Sequence, residues 1–165
     1  MKKVAALITL LIASISCSYA QPKTFSAEAL EGVITTIDGK EVAFQSILNA
    51  HEGKTVLIEV WASWCGDCVK AMPKVKEIQS EIPNVDYVFI SMDKSLEKWK
   101  AGIEKHAVKG DHYWVNDANG MKGSFGKSID LDWIPRYIVI NKKGEVVLYR
   151  AIETDFEKIK TELNK

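Results

Sequence analysis

Between Thr55 and Ala62 the chain is apolar at nearly every position, with Glu59 as the one carboxylate, and three residues later it reaches Cys65-Gly66-Asp67-Cys68. A short, nearly continuous apolar run of this kind suits a strand buried on both faces of a sheet. From Cys68 onward Ala71, Met72, Val75, Ile78 and Ile82 recur at spacings of three and four, with lysines and glutamates between them. That pattern is an amphipathic helix, with Pro73 near its start. A strand buried on both faces and running straight into a helix is the first half of a β-α-β unit, so the sheet needs helices on both sides.

The rest of the chain continues the alternation. Val85 to Met92 reads as a second buried strand, and Ser95 caps a helix whose apolar face is Leu96, Trp99 and Ile103. His112 to Val115 reads as a short strand. The segment with Gly120, Gly123 and Gly126 lacks phosphate-loop spacing and reads as a short helix plus loop. Strands are expected at Tyr137 to Ile140 and Val146 to Tyr149 around a turn at 141–144, then a helix opened by a capping box at Thr154 and Glu157 with Phe156, Ile159 and Leu163 on one face. Upstream, Val33 to Phe44 has β-branched residues on both sides of Asp38-Gly39 and reads as a hairpin, followed by a short helix over Ser46 to Asn49. Residues 21–31 are weakly patterned and read as a linker or ragged start, leaving 32–165 as one domain.

With 165 residues and a hydrophobic fraction of 47%, the chain can bury one sizeable core. Its 22 basic residues balance 22 acidic ones without forming a block, which argues against nucleic acid as a partner. Met1-Lys2-Lys3, an apolar stretch from Val4 to Ile15 and the small residues ending Ser18-Tyr19-Ala20 have the form of a secretory signal peptide over 1–20. The apolar stretch is shorter than the roughly 20 residues that span a bilayer. Export to a bacterial periplasm or cell envelope is the expectation. Ser14-Ile15-Ser16-Cys17 is similar to a lipoprotein cleavage box, so lipid attachment at Cys17 and a membrane tether form the alternative.

Removal of Cys17 leaves Cys65 and Cys68 as the sole thiols, in a compartment where disulfides persist. At a helix N-terminus the free backbone N–H groups and the positive end of the dipole favour a thiolate, which makes Cys65 the candidate nucleophile. Cys68, one turn further in, can displace it from a mixed disulfide as the resolving thiol. Two other readings stay open: an inert staple, which would constrain so short a loop very little, and half of a zinc site. His51, His106 and His112 are scattered and supply no second half, and Val69 stands where haem attachment would need histidine, so neither metal nor cofactor is expected.

The segment from Val56 to Pro73, taken with Ile134-Pro135, resembles the thioredoxin superfamily, and the leader and Asp-Gly hairpin resemble its exported TlpA/ResA-type branch; the likeness runs from Phe25 to Lys165. It implies a three-layer α/β thioredoxin-like fold, a central mixed β-sheet with helices on both faces and an N-terminal β-hairpin extension. It implies a cis Pro135 packed against the disulfide, with a trans turn proline as the alternative, and an Ile134 backbone that meets an extended substrate. Glu59, six residues before Cys65, falls where the family has a buried acid, with general acid–base duty on Cys68; a glutamate on an exposed strand face is the alternative. Trp64 is expected as an exposed lip of the site beside Gly66 and Asp67, and Trp61 as core. Trp99, Trp114 and Trp133 are expected to pack, with Trp133 also bordering the substrate groove.

Asp67 replaces the proline of cytosolic thioredoxins. Its charge opposes thiolate formation at Cys65, which favours a reductant. The implied activity is dithiol exchange on protein disulfides, with a membrane thiol reductase as electron donor. An oxidase or isomerase, or a non-catalytic peptide-binding module, are the alternatives; no second peroxidatic motif supports a peroxidase.

Overall fold

The computed structural model describes residues 21–165, so the leader over 1–20 and Cys17 lie outside the described residues. Seven strands form one mixed sheet in the order β2-β1-β5-β4-β3-β6-β7. In its interior, fifth in that order, is β3 (Val56–Trp61), where every residue is buried, Glu59 included. It pairs parallel with β4 (Asp86–Ser91) and antiparallel with β6 (Arg136–Ile140). Beyond β4 lies β5 (Asp111–Trp114), also parallel. The hairpin of β1 (Val33–Thr36) and β2 (Glu41–Ala43) extends the sheet through an antiparallel β1–β5 contact, and β7 (Val146–Ala151) closes the other edge.

Helices cover both faces. On one side α3 (Gly66–Glu81), α4 (Leu96–His106) and α6 (Phe156–Leu163) lie together: Tyr137 of β6 meets the Phe156 ring at 5.4 Å, Lys160 of α6 pairs with Glu81 of α3 at 2.7 Å, and Trp61 meets His106 of α4 edge-on. On the other, α1 (Ala27–Glu31), α2 (Phe44–Ala50) and α5 (Ser124–Ser128) enclose an aromatic cluster. Phe44 contacts Phe25 at 4.8 Å and Phe125 at 5.4 Å, and Phe25 contacts Tyr149 at 6.0 Å. A 3₁₀ turn, Gly120–Lys122, precedes α5. The three-layer α/β fold inferred from the sequence is therefore the observed one.

Three details depart from the sequence reading. The stretch expected as a linker carries α1, capped by the Ser26 hydroxyl, and buries Phe25 and Ala29, while Lys23 accepts a hydrogen bond from the Val146 N–H. Its one aromatic anchor is set in polar sequence, and five helical residues are too few to show periodicity. The Thr154–Glu157 capping box does not form. Asp155 occupies the cap position and its carboxylate accepts from the Ile152 N–H instead, starting the helix one residue late. Pro73 stands in the middle of α3, on its exposed side, where water can serve the carbonyl that loses its partner.

Of the five described glycines at positive φ, Gly39 and Gly110 hold it for different reasons. Gly39, at φ +84°, makes the hairpin turn in open space, whereas Gly110, at φ +141°, brings its Cα so close to β4 that an added Cβ would stand 2.3 Å from the Tyr87 carbonyl oxygen. Gly39→Ala is expected to cost about 1 kcal/mol through backbone strain alone. Gly110→Ala adds a backbone clash and is expected to cost about 3 kcal/mol. Urea unfolding of the two variants measures the difference; equal losses would contradict it.

Candidate active site

The site stands where β3 ends. Past Trp61 the chain is held by Asp93, a buried carboxylate just beyond β4: it accepts from the Ser63 N–H at 3.0 Å, the Ser63 hydroxyl at 2.6 Å and the Ser91 hydroxyl at 2.8 Å. Trp114 donates its indole N–H to the Asp93 carbonyl at 2.7 Å. Both carboxylate oxygens thus have donors, and the approach to Cys65 is fixed from two neighbouring strands. A Cβ on Gly102 of α4 would lie 2.8 Å from the Ser63 Cβ, so the bare glycine lets α4 close over the same segment.

Cys65 is the N-cap of α3, and its sulfur accepts from the Cys68 N–H at 3.1 Å. Cys65 and Cys68 are joined as a disulfide, with Cα atoms 5.3 Å apart. Their exposures differ: 6% for Cys65 and 0% for Cys68. A helix of 16 residues directs its first N–H groups and dipole at the outer sulfur, which favours negative charge there.

The loop before β6 completes the surround. Ile134-Pro135 is cis, and the Ile134 carbonyl oxygen is 3.5 Å from Cys65 Sγ. In the disulfide that sulfur has no proton to donate, so the contact becomes a hydrogen bond only in the reduced thiol. Asp132 pairs with both Arg136 and Arg150, and Arg150 also pairs with Asp130, a chain of ion pairs that braces the loop against β6 and β7. Trp64 is 52% exposed, as expected of a lip. Trp133, expected to pack, is instead 50% exposed: its neighbour Ile134 takes the inward place and turns the indole to solvent. Trp61, Trp99 and Trp114 are buried. Gly66 faces open space, and Asp67, partly exposed in the first turn of α3, is 3.3 Å from Lys70.

Glu59 lies on the face of β3 covered by α3 and α6, opposite Tyr137 in the β3–β6 register. It is 1% exposed, so the exposed-face alternative does not hold. Oε1 accepts from the Tyr137 hydroxyl at 3.3 Å, while Oε2 has no hydrogen-bond partner among the described residues. Burial penalises the charged form and pushes the carboxyl up to about 8, against the smaller opposing pull of the Tyr137 hydrogen bond. Burial, and then the Glu59 charge, push the Tyr137 phenol well above its ordinary range.

The structure brings Cys65, Cys68, Ile134 and Pro135 together and exposes Trp64 and Gly66 beside them. The sequence reading did not identify Asp93 or Tyr137 as parts of the site. Asp93 had a signal, a Ser-x-Asp at the end of a buried strand, whereas Tyr137 becomes Glu59's partner only through the β3–β6 register.

A family model described as thioredoxin-like matches residues 53–146, more than half of the chain. The thiol-disulfide oxidoreductase ResA of Bacillus anthracis is 26% identical over 124 residues, covering 73% of this chain and 65% of that protein, so the chain spans a little less than two thirds of this relative's length. Among solved structures, the thioredoxin domain of a thiol-disulfide oxidoreductase from Bacteroides vulgatus superposes with a TM-score of 0.65 at 21% identity, covering 80% of this chain and 92% of that one. A secreted disulfide oxidoreductase of Mycobacterium tuberculosis gives a TM-score of 0.63 at 17% identity, covering 84% and 98%. These structural likenesses carry the fold. With a strand, a Cys-x-x-Cys helix cap and a cis-proline loop meeting at one point, and the family match running through that region, the chain belongs to the thioredoxin-like family.

Proposed function

We propose that the chain is a thiol–disulfide oxidoreductase that reduces protein disulfides by dithiol exchange outside the cytoplasm. The observation that carries this reading is the place of the pair: a Cys-x-x-Cys disulfide at the N-cap of a 16-residue helix, Cys65 6% exposed and Cys68 fully buried, with the Ile134 carbonyl of the cis Ile134-Pro135 loop 3.5 Å from the Cys65 sulfur. Reduced Cys65 attacks a substrate disulfide as thiolate, forming a mixed disulfide and releasing one substrate thiolate. Glu59, ionised in a minor fraction of molecules below its pKa of about 8, then takes the Cys68 proton as Cys68 attacks Cys65 Sγ. The second substrate thiolate leaves, and the Cys65–Cys68 disulfide remains. Two electrons have passed to the substrate, and a membrane thiol reductase restores the dithiol. Trp64, Gly66, Asp67 and the Ile134-Pro135 backbone form the surface met by an extended substrate segment. The leader read over 1–20 and the likeness in fold to a secreted Mycobacterium tuberculosis disulfide oxidoreductase support export to a periplasm or cell envelope, with lipid attachment at Cys17 as the tethered form.

The direction of transfer rests on redox poise. Asp67 beside the outer sulfur disfavours its thiolate and so makes the disulfide harder to reduce. The measurement is the reduction potential in a dithiothreitol redox buffer, read by thiol alkylation. A value near or below about −270 mV supports a reductant, and one near about −120 mV an oxidant. A chain with no reversible couple would be a peptide-binding module. Asp67→Asn is expected to lower the Cys65 pKa and move the potential upward; an unchanged pKa would remove the electrostatic role.

Glu59 yields a second expectation. Its unfolded carboxyl ionises near 4.5 and the folded one near 8, so between these values folding takes up a proton. The stability this group allows is fully present below pH 4.5, declines as pH rises, and is lost above pH 8, a total on the order of 5 kcal/mol. Glu59→Gln is therefore expected to match the wild type near pH 5 and to become progressively more stable than it up to pH 9. Denaturant titrations across that range test this, and a constant offset would refute the buried neutral carboxyl.

A further inference from the structure

Before Glu59 can take the Cys68 proton it must itself be ionised, so its carboxyl has to exchange protons with solvent, yet it is enclosed and its one hydrogen-bond partner among the described residues is the Tyr137 hydroxyl. The surroundings of Tyr137 lead outward. Its ring packs at 5.4 Å on Phe156, which lines a surface groove of about 240 Å³ together with Glu153, Asp67, Lys70, Ala71 and Lys74. Tyr137 pairs with Ala151 in the β6–β7 register, two residues before Glu153. Glu153 Oε2 is enclosed and has no hydrogen-bond partner among the described residues, and the Glu153 charge acts on the Tyr137 phenol. Lys70 and Lys74 are engaged elsewhere, with Asp67 and Glu77.

We propose that Tyr137 and Glu153 are the route by which Glu59 exchanges its proton with solvent, running from the Glu59 carboxyl through the Tyr137 hydroxyl to the Glu153 carboxylate and the groove. The inference rests on the oxidoreductase reading and deepens it. Tyr137 and Glu153 are not hydrogen-bonded to each other directly, so on the way out protonated Glu59 gives its proton to the phenol oxygen as the phenol O–H passes its own to a bridging water, which hands one on to Glu153; the bonds formed and broken balance, and Glu153 releases the proton to the groove. Tyr137 is neutral before and after, so its reluctance to ionise is no obstacle. When Glu59 is ionised the hydroxyl turns back and donates to it, the arrangement the 3.3 Å contact describes. Both residues act through Glu59 and are positioning residues rather than catalytic ones.

The test is stopped-flow reaction of the reduced protein with a disulfide-bridged peptide, following release of the second peptide thiol between pH 6 and 9 in light and heavy water. Tyr137→Phe and Glu153→Gln are each expected to slow that release about five-fold or more near neutral pH and to enlarge the solvent isotope effect. A relay speeds both directions alike, so the Cys65–Cys68 potential should stay within about 10 mV of the wild type. Glu153→Asp should retain most of the rate, and added formate should restore Glu153→Ala through the groove. Glu153 is partly exposed, so its variants decide the matter even where Tyr137→Phe fails to fold. Wild-type rates in the Glu153 variants, or slowing matched by an equivalent shift in potential, would overturn the relay and leave the oxidoreductase reading standing. If the wild-type protein releases no second thiol while its Cys65 reacts, both fall.

Discussion

A strand covered on both faces has no place for charge, and β3 carries a carboxyl at its middle. β3 is an interior strand, bonded on each side by β4 and β6 and packed above and below, and that enclosure removes water from Glu59. The cost falls on the ionised form alone, so the group stays neutral well into the range where thiols begin to lose protons. Burial that elsewhere only stabilises a fold here also raises the proton affinity of a carboxyl inside the sheet.

The same strand sets the position of the outer sulfur. Asp93 fixes Ser63, α4 closes over it at Gly102, and the chain can then enter α3 only through Cys65. From the other side, ion pairs among Asp130, Asp132, Arg136 and Arg150 hold the loop that sets the Ile134 carbonyl against Cys65. Neither brace touches the chemistry, yet each restricts where a sulfur on a mobile loop would otherwise wander.

Much of this was legible in the sequence because it is local. The buried run into Cys65, the three-and-four spacing after Cys68 and the Asp-Gly hairpin each declare an element within a dozen residues. The cis Pro135 and the burial of Glu59 were anticipated through family resemblance rather than from spacing. What escaped depends on register or on single anchors. Tyr137 reads as one more strand aromatic until β6 is laid beside β3. Phe25 reads as part of a linker until Phe44 and Tyr149 are seen to need it. Trp133 shows the converse, since an indole beside an isoleucine reads as core, and only the direction of the loop sends one inward and the other out.

The depth difference between the two sulfurs has a further consequence under the proposed exchange. Once a substrate is bound covalently to Cys65, Cys68 is already in place, its Cα one helical turn away, as an internal reagent whose effective concentration exceeds that of any free thiol in solution. The covalent complex is therefore short-lived, and release is driven by displacement rather than by weak affinity. A partner can bind with little specificity and still be let go, and the inner sulfur also recaptures an outer one that has begun to oxidise before it passes beyond repair.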